Sequence, residues 1–183
     1  VKQQAQPPKR LVIKHFTCLS IMSTITKINS FAAESIVQRL AITAGAKPVR
    51  FDTRQLVRVA KATRIGWQRL KKAFPYLLSE YGRHTKNGKY AVEWDAVPAA
   101  IILDYVYGLD VVFLWRGWCI GIDATTNSNA VAQKQSKLAL LQPLLQALQI
   151  DRAVVAQVGS QANRTEFIQN LRRVIQGETF IQL

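Results

Sequence analysis

Apolar side chains recur at helical spacing from about residue 30. In FAAESIVQRLAITAG, Phe31, Ile36, Val37, Leu40 and Ala44 fall near one stripe, Ser30 stands where an N-cap belongs, and Gly45 stops the run. A short apolar piece, AKPVRF, follows. Asp52 or Thr53 then caps a second helix, TRQLVRVAKAT, with Leu56, Val59 and Ala60 inward and Arg54, Arg58 and Lys61 outward. A third helix is predicted from about Gly66 through IGWQRLKKAFPYLLSEYG, kinked or divided at Pro75. Asn87-Gly88, a two-residue turn signal between basic flanks, predicts a hairpin over YGRHTKNGKYAVEW. Residues Asp95–Tyr107 read as an apolar helix ending at Gly108. Next, LDVVFLWRGWCIGIDATT predicts two β-strands joined at Arg116-Gly117, apolar on both faces as central strands covered by helices are. A helix in SNAVAQKQSKLALLQPLLQAL, a strand in IDRAVVAQV and a final helix in QANRTEFIQNLRRVIQ complete the pattern. That last helix turns Phe167, Leu171, Val174 and Ile175 inward.

Composition adds a bias of charge. The 183 residues carry 25 Lys+Arg against 11 Asp+Glu, a formal net charge of +14, which points to a polyanionic partner. The charge is unevenly placed: residues 22–95 hold 14 bases and five acids, whereas residues 96–183 hold seven and six. Three helices followed by a basic hairpin is the order of a winged helix-turn-helix. On that reading Arg64, Gln68, Arg69, Lys71 and Lys72 lie on a recognition helix, and Arg83, His84, Lys86 and Lys89 form a wing on the phosphates. The plainer alternative is a solvated basic face on a helical subdomain.

Several classes are excluded. Cys18 and Cys119 lie far apart without metal-ligand spacing, so the expected setting is reducing and cytoplasmic. No apolar run reaches the roughly 18–20 residues of a membrane span, and no membrane partner is expected. No phosphate-cradling glycine loop is present, and His15 and His84 lack nucleophile neighbours. The four tryptophans, Trp67, Trp94, Trp115 and Trp118, read as core before they read as a base-stacking platform. Residues 1–29 are expected to form a basic tail. The stretch 1–21, ahead of the only Met, Met22, is either a flexible arm or lies upstream of the true start.

The most informative chemistry is in the 110–125 hairpin. By strand parity Asp123 and Thr125 project to one side, with Cys119 and Gly121 behind them. Asp110 at the start of one strand and Asp123 at the end of its partner can converge. Two such carboxylates at the edge of an apolar sheet are costly unless they bind a cation or find hydrogen-bond donors. Without that convergence, Asp110 caps the turn after Gly108 and Asp123 caps the following helix.

Gly108-Leu109-Asp110, the intervening VVFLWRGWCIGI and Asp123-Ala124-Thr125 resemble the PD-(D/E)xK nuclease superfamily, the fold of restriction enzymes and archaeal Holliday-junction resolvases. The helix and strand after the hairpin fit the family's order, and AAESIVQRLAITAG resembles its first core helix, with Glu34 as the helix acid. The resemblance implies an α/β (α+β) fold, a small mixed sheet flanked by helices. It also implies Mg²⁺ held by Asp110, Asp123 and the Ala124 carbonyl, with Glu34 (or Glu93 or Asp95) completing the shell. Thr125 departs from the pattern at the lysine position; some members take that lysine from the following helix, which here implies Lys134 and, as second choice, Lys137.

The expected organisation is a tail over 1–29, a basic winged-helix-like DNA-binding region over 30–95 and a nuclease-like core over 96–183, to which the Glu34 helix is the one candidate addition. The expected function is a DNA-binding protein that is a Mg²⁺-dependent endonuclease or an inactive relative. The competing class is a non-enzymatic winged-helix regulator whose α/β part serves dimerisation or partner contact, so a homodimer stays open.

Overall fold

Alternation of side chains along the strands gives the central sheet two apolar faces, and helices cover both. A computed structural model describes residues 32–85 and 87–183. The expected tail over 1–29, the Ser30 cap and Lys86 lie outside the described residues. In chain order the elements are α1 (32–43), β1 (Lys47–Pro48), α2 (Thr53–Ala62), α3 (Arg64–Tyr81), β2 (Gly82–His84), β3 (Tyr90–Val92) and α4 (Ala99–Ile102), which a π turn, Leu103–Tyr107, continues. Then come β4 (Val111–Trp115), β5 (Trp118–Thr125), α5 (Val131–Ala147), β6 (Arg152–Gln157), α6 (Arg164–Ile175) and β7 (Phe180–Gln182).

Among the described residues five strands form a mixed sheet in the order β1-β4-β5-β6-β7. The β1/β4 and β4/β5 pairs are antiparallel, and β5/β6 and β6/β7 are parallel. A hairpin can be antiparallel, but a parallel neighbour needs a crossover, and α5 and α6 supply the two crossovers. The protein is thus a mixed α/β protein with helices on both sides of the sheet.

The period of two sorts the core. Val112, Cys119, Ala153 and Val155 face a cluster built with α2, α3, the π turn and α5. Phe113, Ile120, Ile122, Val154 and Ala156 face a second cluster with Ala33, Val37 and Ala41 of α1 and Phe167, Leu171 and Val174 of α6. The helix that carries Glu34 therefore packs on the sheet face opposite α2 and α3. The basic segment is α2, α3 and the β2–β3 hairpin, fastened to the core by a buried bond in which the Tyr107 hydroxyl donates to the Leu56 carbonyl at 2.7 Å.

Local chemistry explains the helix limits. The Asp52 carboxylate accepts from the Gln55 N–H at 2.9 Å, and the Thr63 hydroxyl oxygen accepts from the Gly66 N–H at 3.0 Å, so each of α2 and α3 starts on a side-chain cap. Three expectations change. Pro75 sits on the exposed side of α3 and does not divide it. The β2–β3 register, His84 opposite Tyr90, makes Asn87-Gly88 part of a longer loop, closed by the Thr85 N–H donating to the Lys89 carbonyl at 2.7 Å. The apolar helix expected from Asp95 starts only after Pro98, which cannot donate within a helix, and its second half is a π turn.

That π turn ends on Gly108, whose φ of +67° is left-handed, with its N–H donating to the Asp104 carbonyl at 3.0 Å. A Cβ there would meet Lys137 Cε at 2.9 Å. Gly108→Ala is expected to lower the free energy of unfolding by about 1–2 kcal/mol, measured by urea denaturation.

Candidate functional site

The site grows from the end of the β4–β5 pair. Val111 is opposite Ile122, so Asp110, one residue before β4, stands level with Asp123. Two backbone bonds hold it there: the Asp110 N–H donates to the Ile122 carbonyl at 2.9 Å, and its carboxylate Oδ2 accepts from the Ala124 N–H at 2.7 Å. Asp123 is 1% exposed, and its strand position points it at the α5 side of the sheet. Lys134 and Lys137 lie three residues apart on α5 and so share a face. Lys134 pairs with Oδ1 of Asp123 and donates to the Ala124 carbonyl at 3.0 Å. Lys137 pairs with Oδ2. Each oxygen of this buried carboxylate therefore faces an ammonium group.

Asp110, Asp123, the Ala124 carbonyl and Lys134 thus converge on one spot. Burial first, and the Asp123 charge second, push the Asp110 carboxyl up from 3.8 to about 7, against the pull of Lys134 and the Ala124 N–H. Glu34 reaches the same edge from α1. With Asp110, Ala100 and Leu103 it lines a cavity of about 180 Å³, and burial, then the Asp104 charge, raises its carboxyl.

Two contributors are not evident from the sequence. Asp104, on the π turn, is coupled electrostatically to Asp110, Asp123, Lys134 and Lys137, and desolvation raises its carboxyl. The one available signal is an acid inside the apolar run AIILDYVYG. Arg69, expected on an outward recognition surface, instead donates to the Val106 and Tyr105 carbonyls of the π turn, the latter at 2.7 Å. There burial lowers its guanidinium against the opposing charges of Asp104 and Asp123.

The remaining candidates lie elsewhere. Thr125 is buried at the end of β5, where its hydroxyl oxygen accepts from the Asn127 N–H at 3.1 Å and serves the turn. Glu93 pairs with Arg83 at 2.6 Å, and Asp95 takes both forks of Arg54, so both acids are engaged on the basic segment. Arg64, Gln68, Lys71, Lys72, Arg83 and Lys89 are exposed on α3 and the hairpin.

Among the described residues no three His, Cys, Asp or Glu side chains form a metal-holding group. The donor set at the convergence is two carboxylates and one peptide carbonyl. All are hard oxygens, the kind Mg²⁺ takes few of while keeping several waters. The costly pairing of two acids fits such an ion. No helix among the described residues is long and apolar enough to cross a membrane. Comparison of the chain with protein-family models, with curated proteins and with solved structures finds no match.

Proposed function

We propose that the protein is a Mg²⁺-dependent DNA endonuclease of the PD-(D/E)xK type, with its lysine supplied from α5. The observation that supports this most is the convergence of Asp110, Asp123, the Ala124 carbonyl and Lys134 at one end of an antiparallel pair, followed by a helix and a parallel strand. That is the order of elements in the family it resembles, and Glu34 stands on the helix where the family places its acid.

Asp110, Asp123 and the Ala124 carbonyl would hold Mg²⁺, which when bound supplies a Lewis acid for the phosphodiester and acidifies water. Asp123 positions the Lys134 ammonium beside the Ala124 carbonyl, from where it neutralises charge that develops on the phosphate. Lys137 pairs with the other carboxylate oxygen of Asp123. Arg69 braces the π turn that brings Asp104 to the cluster. The exposed cations of α3 and the hairpin meet the DNA backbone.

A second reading draws on one observation, that two ammonium groups already pair with Asp123. A carboxylate that already has its cations suits a DNA-binding protein that does no chemistry. Cleavage of duplex, branched and single-stranded DNA separates the two. The expected result is cleavage with Mg²⁺ that stops in EDTA and falls about 10²-fold in Lys134→Met. No cleavage of any of these DNAs overturns the catalytic reading, while binding that weakens steeply with salt keeps the other.

A further inference from the structure

The strongest feature outside the site is a pocket on the outer side of the basic segment. Trp67, Leu70, Lys71 and Phe74 of α3, Lys61 of α2 and Trp94 line a cavity of about 240 Å³. Trp67 is 42% exposed and Phe74 41%, so both rings are open to solvent. The cations are placed on the rings: Lys71 Nζ lies 4.9 Å from the Trp67 ring centroid, and Lys61 Nζ 5.8 Å from that of Trp94. The acids nearest in sequence to Trp94 are both taken, Glu93 by Arg83 and Asp95 by Arg54, so the rim is left positive.

We infer that this pocket holds an unpaired base of a DNA strand, with Lys61 and Lys71 on the phosphates beside it. The inference rests on the DNA reading above and names the form of DNA. A flat ring needs aromatic walls and its phosphate needs a cation, and the pocket supplies the two side by side. Bases in an intact duplex are already stacked on each other, so a duplex would use the lysines and leave Trp67 and Phe74 idle. The site and the pocket share α3. Two residues beyond Trp67, Arg69 leaves the same helix for the π turn that carries Asp104. A strand seated on Trp67 is therefore held on an element that also walls the acid cluster.

The test is tryptophan emission during titration with a thymidine oligonucleotide in EDTA, where cleavage plays no part. Quenching is expected, with affinity about tenfold lower in Trp67→Ala and largely kept in Trp67→Phe. Lys71→Gln is expected to weaken binding and reduce its salt dependence by about one phosphate contact. Circular dichroism checks that each variant is folded, and the exposed position of Trp67 makes it a safe site to change. Equal affinity for a duplex of the same sequence, tighter binding of the matching RNA strand, or unchanged binding by Trp67→Ala overturns the inference. The outcomes separate from those of the cleavage reading. Quenching without cleavage of any DNA leaves the pocket and removes the nuclease; cleavage with wild-type binding by Trp67→Ala does the reverse.

Discussion

Asp123→Asn is expected to lower both stability and DNA cleavage, and the loss of stability is expected to be repaired by removing the two lysines that face it. Asp123 is 1% exposed, while the Lys134 and Lys137 side chains keep 24% and 30% of their surface. Taking away the carboxylate charge leaves two ammonium groups side by side without the partner they contact directly. Breaking a buried pair from one side in this way costs about 3–5 kcal/mol. The triple variant Asp123→Asn/Lys134→Met/Lys137→Met removes the stranded charges and keeps the apolar stems, so most of that loss is expected to return. Urea unfolding of wild type, single and triple variants measures the cycle. A single variant as stable as wild type would mean that the lysines do not depend on Asp123. Cleavage discriminates further: it falls about 10²–10³-fold in the single variant and does not recover in the triple, because the carboxylate charge and the ammonium are both gone.

The parts of this site that can be read from the sequence are those set by local periodicity. The β4–β5 hairpin is visible as two apolar runs around Arg116-Gly117, and both turn residues take positive φ, 51° and 84°, as a tight hairpin turn of this hand requires. Strand parity puts Asp123 on the α5 side, and the stripe of Leu138, Leu141 and Leu145 puts Lys134 on the face of α5 that meets it. What stays hidden depends on distant packing. β7 is three residues long and is a strand only because β6 pairs with it, so FIQL after the last helix carries no period to detect. Arg69 borders the buried stripe of Gly66, Leu70, Ala73 and Leu77, where a long side chain can turn outward or inward. The π turn decides the matter by offering two free carbonyls. Tryptophan is usually a core residue, which is the expectation for Trp67, yet helical phase puts it beside Lys71 and Phe74 on the open face of α3. The split of charge is legible throughout, but not the partition within it. Arg54, Arg69 and Arg83 are engaged with carboxylates or carbonyls, which leaves Arg58, Arg64, Lys89 and the lysines of α2 and α3 free for a polyanion.

Asp110→Asn is expected to make the protein more stable at pH 8 and to leave it unchanged near pH 3. The folded protein holds the Asp110 carboxyl near 7 against 3.8 for the free group, because burial and the Asp123 and Asp104 charges outweigh Lys134 and the Ala124 N–H. A raised acid binds its proton more tightly folded than unfolded. Its contribution is therefore fully present below pH 3.8 and is lost as pH rises to about 7. Each tenfold difference in proton affinity is worth about 1.4 kcal/mol, so the loss amounts to about 4 kcal/mol at most. Asparagine stays neutral, and its side-chain carbonyl can still accept from the Ala124 N–H, so the variant keeps the bond and escapes the cost of the charge. Unfolding free energies across the pH range are expected to coincide at the acid end and to diverge, with the variant higher by about 2–4 kcal/mol, above neutrality. Mg²⁺ then gives the opposite ordering. At pH 8 the ion is expected to stabilise wild type, by about 2.7 kcal/mol at a hundredfold excess over its dissociation constant, and to do far less for Asp110→Asn, which lacks one of the two carboxylates. A wild-type stability curve that follows the variant at every pH, or equal stabilisation of both by Mg²⁺, would mean that Asp110 serves the β4–β5 edge alone. The pairing of the two acids would then owe nothing to a cation.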